Sequence, residues 1–347
     1  MQFQWFWVSM KLFVYEHITS GALINESLPT SLAHEGNNML LALINDLFQL
    51  PNLELIILRD ARLIPLPDVT NYHQCHTVHT AEDFDHYYAL ALNDADAMLP
   101  IAPETDNTLS KVQQSVLDNN KQLLASPPAT SKLCSDKYRC YQYLHTHNVA
   151  SPQTCLADNW SHQTMSSTTG YIVKPRDGAG CVDTLFFPYT STLEMWLAKQ
   201  STALDTLIVQ PYIEGHHISL NLLCSDNDCM VLAINEQHIK MKNDQLFFAG
   251  STVNGVSENQ LNFSDASELA TQVHQAITGL WGFVGIDLIV SKNAILVIDI
   301  NPRLTSSYVG LANSLTHNPT ELLFSMMEHN KLPLTTPLQR RPVEVRL

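Results

Sequence analysis

The break at Ser126-Pro127-Pro128 separates two textures of sequence, and that change constrains the fold more than any other feature of the chain. Before it, β-rich runs at 12–15, 53–58 and 97–101 alternate with segments at 31–50, 81–93 and 108–125 whose apolar residues recur at helical spacing. Parallel strands need crossover connections, so the alternation predicts an open parallel sheet flanked by helices. After the break, a helix over 136–146 gives way to β-branched or alternating runs at 171–174, 207–210, 217–224, 230–235, 285–290 and 295–300. One amphipathic helix, from about 264 to 281, interrupts them. The expected class is therefore an α/β unit followed by an α+β unit, with no internal repeat and a loosely docked tail from Leu332.

Composition narrows what such a chain can do. At 347 residues it exceeds one ordinary domain, and its 45% hydrophobic and 15% charged content describes a folded globular protein. Asp and Glu outnumber Lys and Arg by 34 to 19, and a net charge of −15 repels a polyphosphate backbone, which excludes nucleic acid as a partner. Seven cysteines without any C-x-x-C spacing point to free thiols in a reducing, cytoplasmic setting. Residues 1–9 are aromatic-rich but lack a basic leader, so they read as an extension rather than a signal peptide or a membrane span.

In an acidic chain, the placement of each cation and each carboxylate within an apolar run carries information. Gly285-Ile286-Asp287-Leu288-Ile289-Val290 and Ile298-Asp299-Ile300-Asn301-Pro302-Arg303 read as neighbouring strands, each interrupted by a carboxylate that is costly to bury alone. The period of two puts Asp299 and Asn301 on one face, where they and Asp287 can meet one cation. Hard oxygen donors in so small a number suit magnesium or manganese completed by nucleotide phosphates and water.

Upstream, the strand Tyr171-Ile172-Val173-Lys174 delivers a lysine just before the loop Asp177-Gly178-Ala179-Gly180, whose glycines let backbone amides approach phosphate. Ser135-Asp136-Lys137 opens a helix, with Asp136 at its N-terminus, and Val209-Gln210-Pro211-Tyr212-Ile213-Glu214-Gly215 forms a strand ending in a turn. The segment from His73 to His79 has no zinc-type spacing; it reads as a loop and is left out of the site.

Taken in order, these elements resemble the ATP-grasp superfamily over roughly residues 130–310. The resemblance implies a pre-ATP-grasp domain over 1–128, a small lobe over 129–204, a large lobe over 205–335 and a tail over 336–347. It implies ATP with Mg²⁺ or Mn²⁺ as cofactors. Lys137 and Lys174 would contact the phosphates, Asp177, Gly178 and Gly180 would cover them, and Gln210, Pro211, Tyr212 and Ile213 would hold adenine through the backbone. Asp287, Asp299 and Asn301 would bind the metal, and Arg303 would stabilise the transferring phosphoryl group.

One position departs from the pattern: the ribose-binding glutamate after the hinge glycine is replaced by His216-His217, which makes His217 the candidate. Asn235, Lys240 and the stretch Phe248-Ala249-Gly250-Ser251 fall on the large lobe without an assigned role. Within the superfamily, Asp299 to Leu311 and the opening Phe13 to Gly21 look most like the tyramine-glutamate ligases of furan-type cofactor biosynthesis. That likeness implies an enzyme taking small-molecule carboxylate and amine substrates, with Glu16 on the ammonium and Ser306 and Ser307 on a carboxylate. Another ATP-grasp amino-acid ligase and a catalytically silent nucleotide-binding module stay open, as do a homo-oligomer and the identity of the amine.

Overall fold

A computed structural model describes residues 9–67, 72–178, 180–200, 204–329, 331–333 and 338–346, apart from the side chains of Tyr72 and His73. The expectation for residues 1–9 therefore lies almost wholly outside the described residues. The chain opens with β1 (Met10–Glu16), α1 (Thr30–Leu47), β2 (Leu53–Asp60), β3 (Tyr72–Val78), α2 (Ala81–Asp94), β4 (Ala97–Ile101), α3 (Thr108–Asp118) and β5 (Gln122–Leu123). The strands form one parallel sheet in the order β3-β2-β1-β4-β5.

Its centre follows from the alternation in β1. Leu12 and Val14 face α1 and pack on Leu40, Leu43 and Ile44, while Phe13 and Tyr15 face the other layer with Ala91 and Leu92 of α2. Two expectations need correction here. The helix expected over 108–125 stops at Asp118 to leave room for β5, and the segment from His73 to His79 belongs largely to an edge strand, with His76 stacked on Tyr87 at 4.6 Å.

The Pro127-Pro128 break is also a helix start. Proline fits the first turn, whose amides have no intrahelical acceptor, and α4 (Pro128–Ser135) runs from it into α5 (Lys137–Thr146). Next come β6 (Cys155–Leu156), β7 (Tyr171–Pro175), β8 (Leu185–Phe187), α6 (Thr190–Leu197), β9 (Leu207–Pro211), β10 (His216–Cys224), β11 (Cys229–Lys242) and β12 (Gln245–Val253). The chain continues through α7 (Phe263–Ala276), β13 (Gly282–Val290), β14 (Ile295–Asn301), α8 (Leu311–Ser314), α9 (Pro319–His329) and β15 (Val343–Arg346).

These later strands form a second sheet with the path β14-β13-β10-β11-β12-β8-β7-β9-β6, and its antiparallel half β10-β11-β13-β14 buries an apolar face against α7. The two halves of the path meet at one register pair, Gln245 opposite Leu185, flanked by the bonds from Phe186 N to Asp244 O (2.7 Å) and from Leu246 N to Thr184 O (3.0 Å).

The described part of the tail, residues 338–346, is docked rather than loose. β15 pairs with β12, and Arg340 donates to the carbonyls of Leu232 and Val231 at 3.1 and 3.0 Å while its guanidinium lies 4.3 Å from the Phe263 ring centroid. Gly250 makes that pairing possible: its φ is +120°, and a Cβ there would run into the Val345 carbonyl. α1 packs on the turn at 306–310 and on α9, joining the first sheet to the segment that follows β14. The carboxyl ends of β1 and β4 consequently face the start of that segment.

Candidate active site

Asp287 on β13 sits opposite Asp299 on β14, and Gly285 sits opposite Asn301. The Asn301 amide donates to Asp287 Oδ2 at 3.2 Å, and the Gln237 amide on β11 donates to Oδ1 at 2.8 Å. Burial, and then the neighbouring Asp299 charge, push the Asp287 carboxyl up to about 6. Two half-buried carboxylates brought together gain from a shared cation. Among the described residues, no group of three His, Cys, Asp or Glu side chains gathers as a metal cluster. The candidate set is leaner, two carboxylates and one amide, and such a set suits a hard divalent ion whose remaining ligands come from phosphate and water.

Positive charge reaches this pair from two elements. Asp136 caps α5 by accepting from Arg139 N at 3.0 Å and also binds Arg176 at 2.6 Å, which ties the helix start to the end of β7. That tie turns Lys137 inward: its Nζ lies 3.0 Å from Asp299 Oδ2 and also donates to the Gly178 carbonyl. Burial works against the Lys137 charge, but Asp299 outweighs it and holds the ammonium above its ordinary value. Lys174, on β7, is 8% exposed, and burial together with Lys137 lowers it to about 8. The glycine loop is anchored from the first sheet, where Asp106 N donates to Asp177 Oδ2 at 3.1 Å.

The turn after β9 is partly committed. Tyr212 N donates to the Gly170 carbonyl at 2.9 Å, and its own carbonyl accepts from the Thr169 hydroxyl at 2.5 Å. The buried Gln210 amide donates to Thr154 Oγ1 at 2.8 Å. A cavity lined by Lys137, Tyr141, Thr154, Gln210 and Asp299 opens between α5, β9 and β14. His217 is half-buried, and burial, then His216, lower it below the ordinary histidine value.

Arg303 follows β14 directly. Its Nε and Nη2 meet Glu104 Oε1 and Oε2 at 2.8 and 2.9 Å, and Nη1 donates to the Leu304 carbonyl at 3.1 Å. Burial works against the charge, and Glu104 outweighs it. Glu104 lies just past the carboxyl end of β4, where open parallel sheets present their loops to ligands. That position was the one sequence signal pointing to it. Gln237 and Glu35, by contrast, sat within polar runs of longer elements, Asn235-Glu236-Gln237-His238 and His34-Glu35-Gly36-Asn37-Asn38, and carried no such signal.

Two of the expected substrate contacts sit differently. Glu16 is 3% exposed, and its carboxylate accepts the amides of Ile18 at 3.3 Å and Thr19 at 2.7 Å, so it holds the turn after β1 instead of facing an ammonium. Ser307 is 5% exposed and donates to Asn221 Oδ1 at 2.8 Å, inside a buried network with Thr305 and Asn235. Asn235, whose role was open, thus belongs to this network. Ser306 lies beside the Glu35 carboxylate of α1.

The fold and this grouping define the class. A model of the ATP-grasp domain matches residues 134–307 and a model of the pre ATP-grasp 3 domain matches residues 53–130, so the chain belongs to the ATP-grasp superfamily and is an ADP-forming carboxylate-amine ligase. Among its relatives, it is 26% identical over 286 residues to a tyramine–L-glutamate ligase of Methanocaldococcus fervens, an alignment covering 81% of this chain and 83% of that one. Among solved structures, it resembles an ATP-grasp superfamily protein from Archaeoglobus fulgidus, with a TM-score of 0.68, 24% identity and coverage of 97% and 92% of the two chains. An L-amino acid ligase from Bacillus licheniformis shares the fold, with a TM-score of 0.62, 13% identity and coverage of 91% and 73%. Enzymes of this class use ATP and divalent metal ions, and among the described residues no helix is long and apolar enough to cross a membrane.

Proposed function

We propose that this protein is a cytoplasmic ligase that joins the γ-carboxylate of L-glutamate to tyramine or a related phenolic amine. The observation that carries the reading is the meeting of Asp287, Asp299 and Asn301 with Lys137 at one end of the cleft and Arg303 just beyond β14. The named relative supports the choice of substrates. Asp287, Asp299 and Asn301 would hold Mg²⁺, which supplies charge neutralisation for the triphosphate. Lys137 and Lys174 bind phosphate oxygens, the loop Asp177-Gly178-Ala179-Gly180 covers them, Gln210 to Ile213 line the adenine, and His217 faces the ribose. Ala179 itself lies outside the described residues.

The carboxylate attacks the γ-phosphorus of ATP, ADP leaves, and the acyl phosphate is captured by the amine with loss of phosphate. Arg303, its orientation fixed by the Glu104 fork, acts on the charge that develops during both transfers. The test is ADP release by purified protein with magnesium-ATP and L-glutamate, comparing tyramine, tyrosine and no amine, with the product mass measured. A glutamyl-amide mass that appears with one amine alone is expected. ATP binding with no ADP from any pair would favour a silent nucleotide-binding module.

A further inference from the structure

An amine that arrives as an ammonium has no lone pair with which to attack an acyl phosphate, so the second half of the proposed reaction needs a proton acceptor near Arg303. Among the described residues, the charges of Glu104, Glu35 and Asp299 reach Arg303, Asp299 being a candidate metal ligand already paired with Lys137 at 3.0 Å, and Glu16 lies next to Glu35. Glu104 spends both oxygens on the guanidinium, at 2.8 and 2.9 Å. Glu16 gives both of its oxygens to backbone amides and is buried beneath α1, where a Cβ at position 36 in place of Gly36 would run into its carboxylate.

Glu35 differs from both. It lies in the second turn of α1, half-buried, with the Ser306 hydroxyl beside it and Arg303 close enough to act on its charge. A hydroxyl and the field of a cation leave acceptor capacity on a carboxylate that both buried neighbours lack. α1 packs on the turn at 306–310, which presents Glu35 and Ser306 on the same side as Arg303.

Resting on the ligase reading above, we infer that Glu35 receives the incoming amine as its ammonium and takes its proton when the amine attacks the acyl phosphate beside Arg303. The Glu35 carboxylate accepts one proton from R–NH₃⁺. The freed nitrogen lone pair forms the C–N bond, and the C–O bond to phosphate breaks with its electron pair on the phosphate. The second nitrogen proton goes to that phosphate, and Glu35 returns its proton to solvent. Burial raises the Glu35 carboxyl above the usual carboxylate range despite the pull of Arg303, which improves it as a base.

Hydroxylamine separates this role from others, because it is already neutral at the pH of the assay and needs no base before it attacks. Glu35→Gln is expected to lower amide formation with tyramine about 100-fold while hydroxamate formation changes less than about threefold. Glu35→Asp should recover part of the amide rate. A loss shared equally by both nucleophiles, accompanied by a raised KM for L-glutamate, would make Glu35 a holder of the carboxylate donor and overturn the inference. An unchanged rate with both nucleophiles overturns it too. Wild-type protein that forms neither hydroxamate nor amide overturns the ligase reading itself, an outcome seen before any substitution is made.

Discussion

Lys174, which is buried, and Arg303, which is half-buried, are cations of the same candidate site, and the fold treats them in opposite ways. Arg303 is locked by a two-bond fork to Glu104 and by a backbone carbonyl, and its charge is reinforced. Lys174 has no ion pair or side-chain hydrogen bond among the described residues, and its charge is weakened, with its ordinary value lowered to about 8 by burial and by Lys137. A fixed, saturated group suits charge that appears only in a transition state, whereas an unsaturated one suits a ligand that brings its own charge.

The most severe way to break this contrast is Arg303→Ala, which should lower kcat on the order of a thousandfold with the apparent affinity for ATP nearly unchanged. An effect confined to KM would place Arg303 with the ground-state binders. Asp299→Ala removes a candidate metal ligand and the partner of Lys137, and should cut turnover about 100-fold or more without altering the far-ultraviolet circular dichroism. Normal activity would remove Asp299 from the metal set.

Glu104→Gln sharpens the comparison from the other side, since it frees the arginine without deleting it. A buried charge that loses its partner costs about 3 to 5 kcal/mol, so the urea midpoint should fall together with kcat. For Lys174 the expected signature is pH. The ammonium keeps its charge below about 8 and loses it above, so ATP affinity should decline as pH rises through about 8, and Lys174→Arg should flatten that decline. Isothermal titration at several pH values measures it. The smallest effect is expected at Tyr308, whose hydroxyl donates to Asp46 at 2.8 Å between α1 and the turn at 306–310. Tyr308→Phe should cost about 1 to 2 kcal/mol of stability and leave kcat alone.

The fold class was legible because it rests on periodicity. Alternating strands and helices before Pro127 and β-rich runs after Pro128 translate directly into a parallel sheet and a largely antiparallel one. Elements whose formation depends on distant partners were not legible. β12 needs Gly250 in a left-handed conformation to admit β15, and β5 is two residues long and exists only because β4 lies beside it.

The candidate site divides along the same line. Asp287 and Asp299 announce themselves by interrupting apolar strands, and the cross-strand register then pairs them. Glu104 lies 199 residues from Arg303, and nothing near it in sequence marks it as the arginine's partner. Glu16 misled because a carboxylate at a strand end looks available until the amides of Ile18 and Thr19 turn back onto it.

The single register pair between β8 and β12 has a mechanical consequence. A long sheet joined at Gln245 and Leu185 by so few main-chain bonds has a crease there, and apart from those bonds the two sides are held by ties such as Asp136 to Arg176 and Lys137 to Gly178. The amide protons of Phe186 and Leu246 cross that crease and act as its gauges. Their exchange with deuterium should be the fastest of any paired strand amides in the unliganded protein, and magnesium-ATP should slow them before it slows the rest of the sheet.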